Sequence, residues 1–441
     1  MKREMKDSIV LGAALFAMFF GAGNLIFPPA IGVASGESWF LGMLGFFFTG
    51  ICLPVMGVLA VSKAGGTISE FASKVSHKFS LAFGTIVILA IGPLLAIPRT
   101  GATVYEIGIK PLGEINPLLV SIIYFGITLL FVIKPNGIID KVGKILTPIL
   151  LFVIGTIIIT GLIHPIGIPV ASKIENAFTF GFLEGYQTMD TLGAIVMGGI
   201  ILAALLEKGY TDTKKQMKMT TTAGLISGSI LMLIYGGLLF LGASISGNVE
   251  PGISKTALIL DITKSVLGNN GLFVISIAVS AACLTTSIGL TAIVGNYFEK
   301  ISKGKLSYKL TVIVVCAFSA LMSVVGVETI VEIAVPLLVW VYPVAMVLIV
   351  FNIIEAILPH KLAFTGGVLG AGFIGFMDAL KALPFKGISE SLKPIYDLIS
   401  KLPFANVGFA WVLPAVLLAL AFGYYGKYFK NYRVLETVSA E

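Results

Sequence analysis

Apolar residues run through this chain in long blocks separated by short polar stretches. A transmembrane helix needs about 20 apolar residues. Twelve blocks fit that length: 7–33, 38–62, 80–107, 117–133, 143–163, 178–206, 219–243, 271–297, 308–326, 329–355, 362–380 and 406–426. The pattern predicts an all-α integral membrane protein with no soluble domain. Two outer stretches, 244–270 and 381–405, are longer than turns. Their segments 254–266 and 388–402 have apolar residues at helical spacing, which predicts surface helices, the first either packed on the protein or placed as a lid over an outer vestibule.

The first block is interrupted where a lipid-facing helix would run straight. The stretch Phe19-Phe20-Gly21-Ala22-Gly23-Asn24-Leu25-Ile26-Phe27-Pro28-Pro29 places two glycines, an asparagine and a proline pair inside it. Gly costs about 1 kcal/mol in a helix interior and Pro about 3 kcal/mol. Backbone groups freed within lipid must also find partners, so a break is tolerated only in the protein interior or along a cavity. Two readings follow. One is a discontinuous helix whose loose amides and carbonyls bind a small charged solute and an ion near the midplane. The other is a Gly/Pro kink used for close helix packing.

The sixth block reads Glu184-Gly185-Tyr186-Gln187-Thr188-Met189-Asp190 at its middle. A charged side chain at the centre of a span costs about 2.5–3.5 kcal/mol, so two carboxylates here demand a reason. A break near Gly185-Tyr186, with Asp190 capping the second half-helix, is the local one. Glu184 has no such local task and is the better functional candidate. Five spans separate the two breaks. An odd number turns the second unit upside down, which is the signature of an inverted repeat.

Block eight carries Thr285-Thr286-Ser287 deep in an apolar run. Single hydroxyls in a span bond back to the helix carbonyl one turn earlier. Three in a row point at least two ways, which leaves one able to face a cavity. Neutral hydroxyl and carbonyl oxygens suit a weakly held monovalent cation. Block three carries Pro93, Pro98-Arg99-Thr100 and Tyr105-Glu106. Arg99 and Glu106 lie two turns apart on one face, either paired with neighbouring spans or lining a pathway. The Tyr105 hydroxyl is a candidate donor to a substrate carboxylate.

Composition agrees with the pattern. Of 441 residues, 57% are hydrophobic and 12% charged, against about 25% charged in soluble proteins. Cys52, Cys283 and Cys316 sit in apolar runs and read as packing residues. His77, His164 and His360 are far apart and form no ligand pair, and no nucleophile constellation is visible, so the chain does not read as an enzyme. Met1–Lys6 followed by an apolar run is like a signal peptide. The apolar stretch continues past Gly21-Ala22-Gly23, however, which predicts a retained, broken span. With the N-terminus taken as cytoplasmic, 21 of the 30 basic residues fall on that side and eight on the other. By the positive-inside rule both termini are cytoplasmic, and the net charge of +7 reflects topology, not nucleic-acid binding.

These motifs are similar to those of the bacterial branched-chain amino acid carriers, the system II carrier family within the amino acid–polyamine–organocation superfamily. The likeness covers essentially the whole chain. It rests on Phe20–Pro29, on Gly92-Pro93 with Pro98-Arg99-Thr100, on Glu184–Asp190 and on Leu284–Ser287. The resemblance implies a leucine-transporter-like fold: twelve transmembrane helices, discontinuous helices 1 and 6, two inverted five-helix repeats at 7–163 and 178–355, and two extra helices at 362–426. It implies import of leucine, isoleucine and valine across the bacterial cytoplasmic membrane by symport with Na+, with no cofactor, no nucleic acid and no obligate protein partner. The alternative is a proton-coupled symporter using Glu106 or Glu184.

By the same resemblance, Ala17, Phe20 and Ala282 supply carbonyls and Thr285 and Thr286 supply hydroxyls to sodium. The substrate carboxylate meets amides of Ala22, Gly23 and Asn24. The amine meets carbonyls around Phe182 and Glu184, with Gly185, Tyr186 and Tyr105 close by. This chain departs from the leucine-transporter pattern between Gly21 and the prolines, where it is one residue shorter and lacks an arginine. One outcome checks the charge argument directly: a reporter fused after Glu441 is expected to be active only when it is one that works in the cytoplasm. Activity of an exported reporter there would overturn both the orientation and the inverted-repeat reading.

Overall fold

A computed structural model describes residues 2–133, 138–250, 252–383 and 391–430, with backbone alone for 138–147. Every regular element among them is helical. The first broken span is α1 (Lys2–Phe19) and α2 (Gly23–Ser35). Then come α3 (39–64), α4 (77–109), α5 (Pro117–Ile133) and α6 (Ile138–Ile163). The second broken span is α7 (Ala177–Tyr186) and α8 (Asp190–Glu207). It is followed by α9 (Thr213–Ile245), α10 (255–267), α11 (269–301), α12 (Tyr308–Ser323), α13 (Val327–Ile353), α14 (Leu362–Ala382), α15 (Lys393–Ile399) and α16 (Val412–Tyr425).

Helix covers most of each of the twelve apolar blocks. Among the described residues, eight helical stretches are long and apolar enough to cross a membrane, and three shorter apolar helices accompany them. The surface helix expected at 254–266, a packed helix or a lid over a vestibule, is α10, called the lid helix below for its place beside that vestibule. Gly268, at φ 67° and ψ −162°, turns the chain from α10 into α11, a conformation essentially confined to glycine. Of the surface helix expected at 388–402, residues 388–390 lie outside the described residues and the rest carries α15. The side chains of Lys134, Lys141, Lys144, Lys386, Lys430 and Arg433 also lie outside them.

Two differences from the sequence pattern matter for the centre of the molecule. The first break is confined to 20–22, and α2 runs straight through Pro28 and Pro29. The prolines only withdraw donors from the carbonyls of Asn24 and Leu25 four residues back. The second difference is a third interruption. Helix α4 loses helical geometry at Gly92 (φ −94°, ψ −127°) and Leu95 (φ −131°, ψ −63°). Arg99 therefore sits in the first turn of a new segment, Ala96–Thr103.

The helices around the breaks pack through glycine. A Cβ added to Gly32 would strike the Leu239 carbonyl, and one added to Gly242 the Pro29 carbonyl, so α2 and α9 touch backbone to backbone. Gly45 meets the Phe178 carbonyl and Gly181 the Gly42 carbonyl in the same way, joining α3 to α7. Gly366 and Gly370 join α14 to α16. Small residues let helices approach this closely where hydrophobic burial gives no driving force between them. Gly242→Ala is accordingly expected to lower stability by about 1–3 kcal/mol, the usual range for overpacking. Gly126→Ala, where an added Cβ meets nothing within 4 Å, should gain about 1 kcal/mol from helix propensity. Thermal unfolding of the two detergent-solubilised variants checks this, and equal melting of Gly242→Ala and the parent would sink it.

Candidate functional site

The two breaks meet at the centre of the bundle. In the first, the Phe20 amide still reaches the Phe16 carbonyl at 2.8 Å, and the Gly21 amide is taken by Asn24 Oδ1 at 3.3 Å. Asn24 N–H donates to the Gly21 carbonyl and Leu25 N–H to the Ala22 carbonyl. That leaves the amides of Ala22 and Gly23, and the carbonyls of Ala17 and Phe20, without a hydrogen-bond partner among the described residues. The amides belong to the N-terminal end of α2, where backbone donors and the helix dipole favour an anion.

The second break is a turn at Gln187–Met189, with Met189 left-handed at φ 62°. It falls slightly later than the glycine pattern suggests. Carbonyls of this turn, just past the end of α7, are capped from another helix: buried Arg99 of α4 donates Nη1 to the Gln187 carbonyl and Nη2 to the Thr188 carbonyl. A cation is well placed at a helix C-terminus. Asp190 does not cap its own helix, which has no side-chain cap. Its Oδ2 instead accepts from Asn24 Nδ2 at 2.6 Å, and the same Asn24 group contacts the Tyr235 hydroxyl. Asn24 and Tyr235 are each 1% exposed. Asp190 thus ties one break to the other.

A cavity of about 60 Å³ lies in this joint. Ala22, Gly23, Asn24, Arg99, Asp190 and Thr286 give it polar groups, and Met18, Phe19, Ile91, Met197 and Leu290 give it apolar walls. Thr286 lies beside the first break, its Oγ1 3.8 Å from where a Gly21 Cβ would stand. Both Thr285 and Thr286 donate their hydroxyl hydrogens to the Ala282 carbonyl, at 2.9 and 3.0 Å, which leaves each oxygen's lone pairs free. Ser287 turns the other way, toward Thr128 of α5. The three hydroxyls therefore diverge around α11. Among the described residues no group of three or more His, Cys, Asp or Glu side chains is arranged to hold a metal ion.

Other candidates lie elsewhere. The Phe182 carbonyl accepts from Thr49 Oγ1 at 2.8 Å, the Phe182 ring meets Phe409, and Tyr186 stacks on Tyr342. Gly185 packs against Thr49. Tyr105 and Glu106 line a separate outer vestibule with Thr256 and Glu328. Glu106 accepts from Thr256 Oγ1 at 2.5 Å and from the Val327 amide at 2.9 Å, so it binds α10 and the start of α13, not Arg99. Glu184 faces Lys255 of the lid helix at 3.5 Å. Lys255 Nζ also stands 5.2 Å from the centroid of the Phe27 ring, and the Arg99 guanidinium stands 5.5 Å from it. Phe27 is wholly buried. It separates the cavity from the lid. At the other end of the molecule, Asp7 of α1 accepts from Lys208 Nζ at 2.6 Å and Tyr210 hydroxyl at 2.7 Å, and Glu4 pairs with Lys215 at 2.7 Å.

Comparison with known proteins places this geometry in a lineage. A family model described as branched-chain amino acid transport protein matches residues 4–427. The branched-chain amino acid permease BraB of Bacillus subtilis is 37% identical over 94% of both chains. The branched-chain amino acid transport system 2 carrier protein of Pseudomonas aeruginosa is 34% identical, covering 94% of this chain and 95% of its own. The permease BrnQ of Escherichia coli is 32% identical over 94% of both. Among solved structures, MhsT in complex with L-phenylalanine aligns with a TM-score of 0.55 at 17% identity, covering 94% of this chain and 96% of its own. A nucleobase-cation-symport-1 family transporter with bromovinylhydantoin bound aligns with a TM-score of 0.59 at 14% identity, covering 95% and 92%. These likenesses share the leucine-transporter-type fold. The joint between the breaks predicts a stability effect: Asn24→Ala leaves the Asp190 carboxylate buried without its donor, at a cost of about 1–3 kcal/mol or more. A lowered melting temperature in detergent is expected, and an unchanged one would show that the contact is incidental.

Proposed function

The chain belongs to the family of branched-chain amino acid transport proteins, and we propose that it is a multi-pass secondary transporter that imports leucine, isoleucine and valine across the bacterial cytoplasmic membrane together with a cation. The observation that carries this reading is the central cavity between two helix breaks, with unpartnered amides of Ala22 and Gly23 on one side and Thr286 on the other. The substrate carboxylate is assigned to those amides; Asn24, also expected to meet it, instead gives its amide to the Gly21 carbonyl and its side chain to Asp190. The branched side chain is assigned to the apolar walls around Met18, Ile91, Met197 and Leu290. One methylene is worth only about 1–3 kcal/mol in such a pocket, so all three substrates are expected to compete.

Sodium is the proposed coupling ion, held by carbonyls of Ala17, Phe20 and Ala282 and hydroxyls of Thr285 and Thr286. Unpartnered Ala17 and Phe20 carbonyls at the end of α1 support this, as does Thr286 beside Gly21. Neutral oxygens of this kind hold a cation but carry no proton. The carboxylates considered for proton coupling, Glu106 and Glu184, are engaged with the lid side instead, which favours sodium. The proposed arrangement has both termini in the cytoplasm and inverted repeats over 7–163 and 178–355. The cavity would then extend toward the cytoplasm along α1 and α8, while Phe27, Glu184 and Lys255 close the outer side.

Reconstitution in liposomes tests the reading. Labelled leucine should accumulate under an inward sodium gradient, and Thr285→Ala with Thr286→Ala should abolish sodium stimulation. Full sodium stimulation in the double variant, or uptake driven by a proton gradient alone, would overturn the coupling proposal. A Cβ at Gly23 would stand 2.9 Å from Arg99 Nη2 and 3.3 Å from the Phe27 ring. Gly23→Leu is therefore expected to lose leucine binding while still inserting into the membrane.

A further inference from the structure

We propose that Arg99 and Asp190 hold the two charged ends of the amino acid, the guanidinium taking the α-carboxylate and the Asp190 carboxylate taking the α-ammonium group. This rests on the transport reading above and assigns the recognition chemistry of the same cavity. The starting observation is two opposite charges that line one cavity and do not meet. Arg99 is 4% exposed and Asp190 is 8% exposed, and both line the cavity. Among the described residues, neither forms an ion pair. Attraction between opposite charges is strong away from water, so a site built only for stability would bring them together. Here each is held apart from the other: Arg99 by the Gln187 and Thr188 carbonyls, Asp190 by Asn24.

The surroundings of Arg99 call for an anion. Its guanidinium packs so close to Gly23 that a Cβ there would press on Nη2. It therefore stands beside the N-terminal end of α2, where the amides of Ala22 and Gly23 are already unpartnered. A buried cation next to a helix N-terminus is a like-signed arrangement, unfavourable unless a negative group sits between. A carboxylate placed there receives charge-assisted bonds from the planar fork of Arg99 and further bonds from the two amides. The fork has five donors, of which the Gln187 and Thr188 carbonyls use two.

The surroundings of Asp190 call for a cation. Its side-chain partners, the Asn24 amide group and the Thr188 hydroxyl, are both neutral. The carbonyls of the second break that would otherwise receive an ammonium group are taken, and the unpartnered ones at the end of α1 are those assigned above to sodium. Phe182 O accepts from Thr49, Gly185 O from Thr188, Tyr186 O from Met189, and Gln187 O from Arg99. Asp190 is the strong acceptor left facing the cavity. The site would thus recognise a zwitterion by bracketing it, with a guanidinium and a carboxylate from different helices. A ligand lacking either charge leaves a buried charge unpaired, and sites of that kind reject the deficient analogue strongly.

Binding to the purified, full-length protein tests this, read by displacement of labelled leucine in nanodiscs. Isocaproate, which lacks the amine, and leucinamide, which lacks the carboxylate charge, are each expected to bind at least about 100-fold more weakly than leucine. Asp190→Asn should weaken leucine by about 100-fold or more while leaving isocaproate within about threefold, since that ligand never used the carboxylate. Arg99→Lys should do the same for leucine against leucinamide. If the parent protein binds no leucine, the transport reading itself fails. If it binds leucine but isocaproate competes equally, or if Asp190→Asn weakens both ligands alike, Asp190 is only a support for Asn24 and the inference is overturned. Should Asp190→Asn not fold, the two analogues on the parent decide alone.

Discussion

The contact between Asn24 and Asp190 is the joint on which the centre of this protein depends. Each residue stands at the start of a half-helix, and each half-helix exists because its apolar block is interrupted midway. Lipid offers nothing to the backbone groups that such a stop releases. The chain answers by making the two interruptions serve each other, with Arg99 of a third helix closing the carbonyl end of the second. What remains unpartnered after that, the amides of α2 and the carbonyls at the end of α1, faces the cavity or its edge. The polar character of the site is the remainder left when the breaks have been mutually satisfied.

Much of this was legible in the sequence, and the limits of that legibility have a physical pattern. Glycine, asparagine and proline in the first apolar block, and glycine between two carboxylates in the sixth, pointed to the two breaks, the second of which falls slightly later than Gly185-Tyr186, because such residues are costly within a spanning helix. Three adjacent hydroxyls located the polar face of α11. Partners across space were not legible. Asp190 looked like a cap for its own helix, since capping is the local option, yet its donor comes from residue 24. Arg99 and Glu106 share a helical face on paper, but the helix changes to a π turn over Val104–Ile109 between them, and they reach different compartments. Tyr105 goes with Glu106. Pro93 and Pro98 were a signal for the third interruption, at Gly92 and Leu95. Pro93 lies within it and Pro98 in the first turn after it.

The two ends of the molecule are held differently from its centre. At one end, α10 is fastened by Glu106 and Glu328 near its N-terminal end and by Lys255 against Glu184. At the other, Asp7 and Glu4 fasten α1 to the chain around Lys208, Tyr210 and Lys215. Apart from the buried Asp7–Tyr210 contact these pairs are part-exposed, and exposed pairs are individually worth little. The central contacts, by contrast, are buried. The protein thus combines a firmly joined midplane with ends whose fastenings are easily exchanged for water.

The glycine seams carry a mechanical consequence. Where α2 meets α9 and α3 meets α7, main chain lies on main chain with no side chains between them to repack. Such contacts resist sliding, because no rotamer change can absorb a displacement. The four helices therefore form a stiff frame. Compliance is left to three short places with no such seam: residues 20–22, 187–189 and 92–95. A frame with its hinges gathered around one cavity leaves the segments beyond them, α1, α8 and the first part of α4, as long levers on any small rearrangement at the breaks.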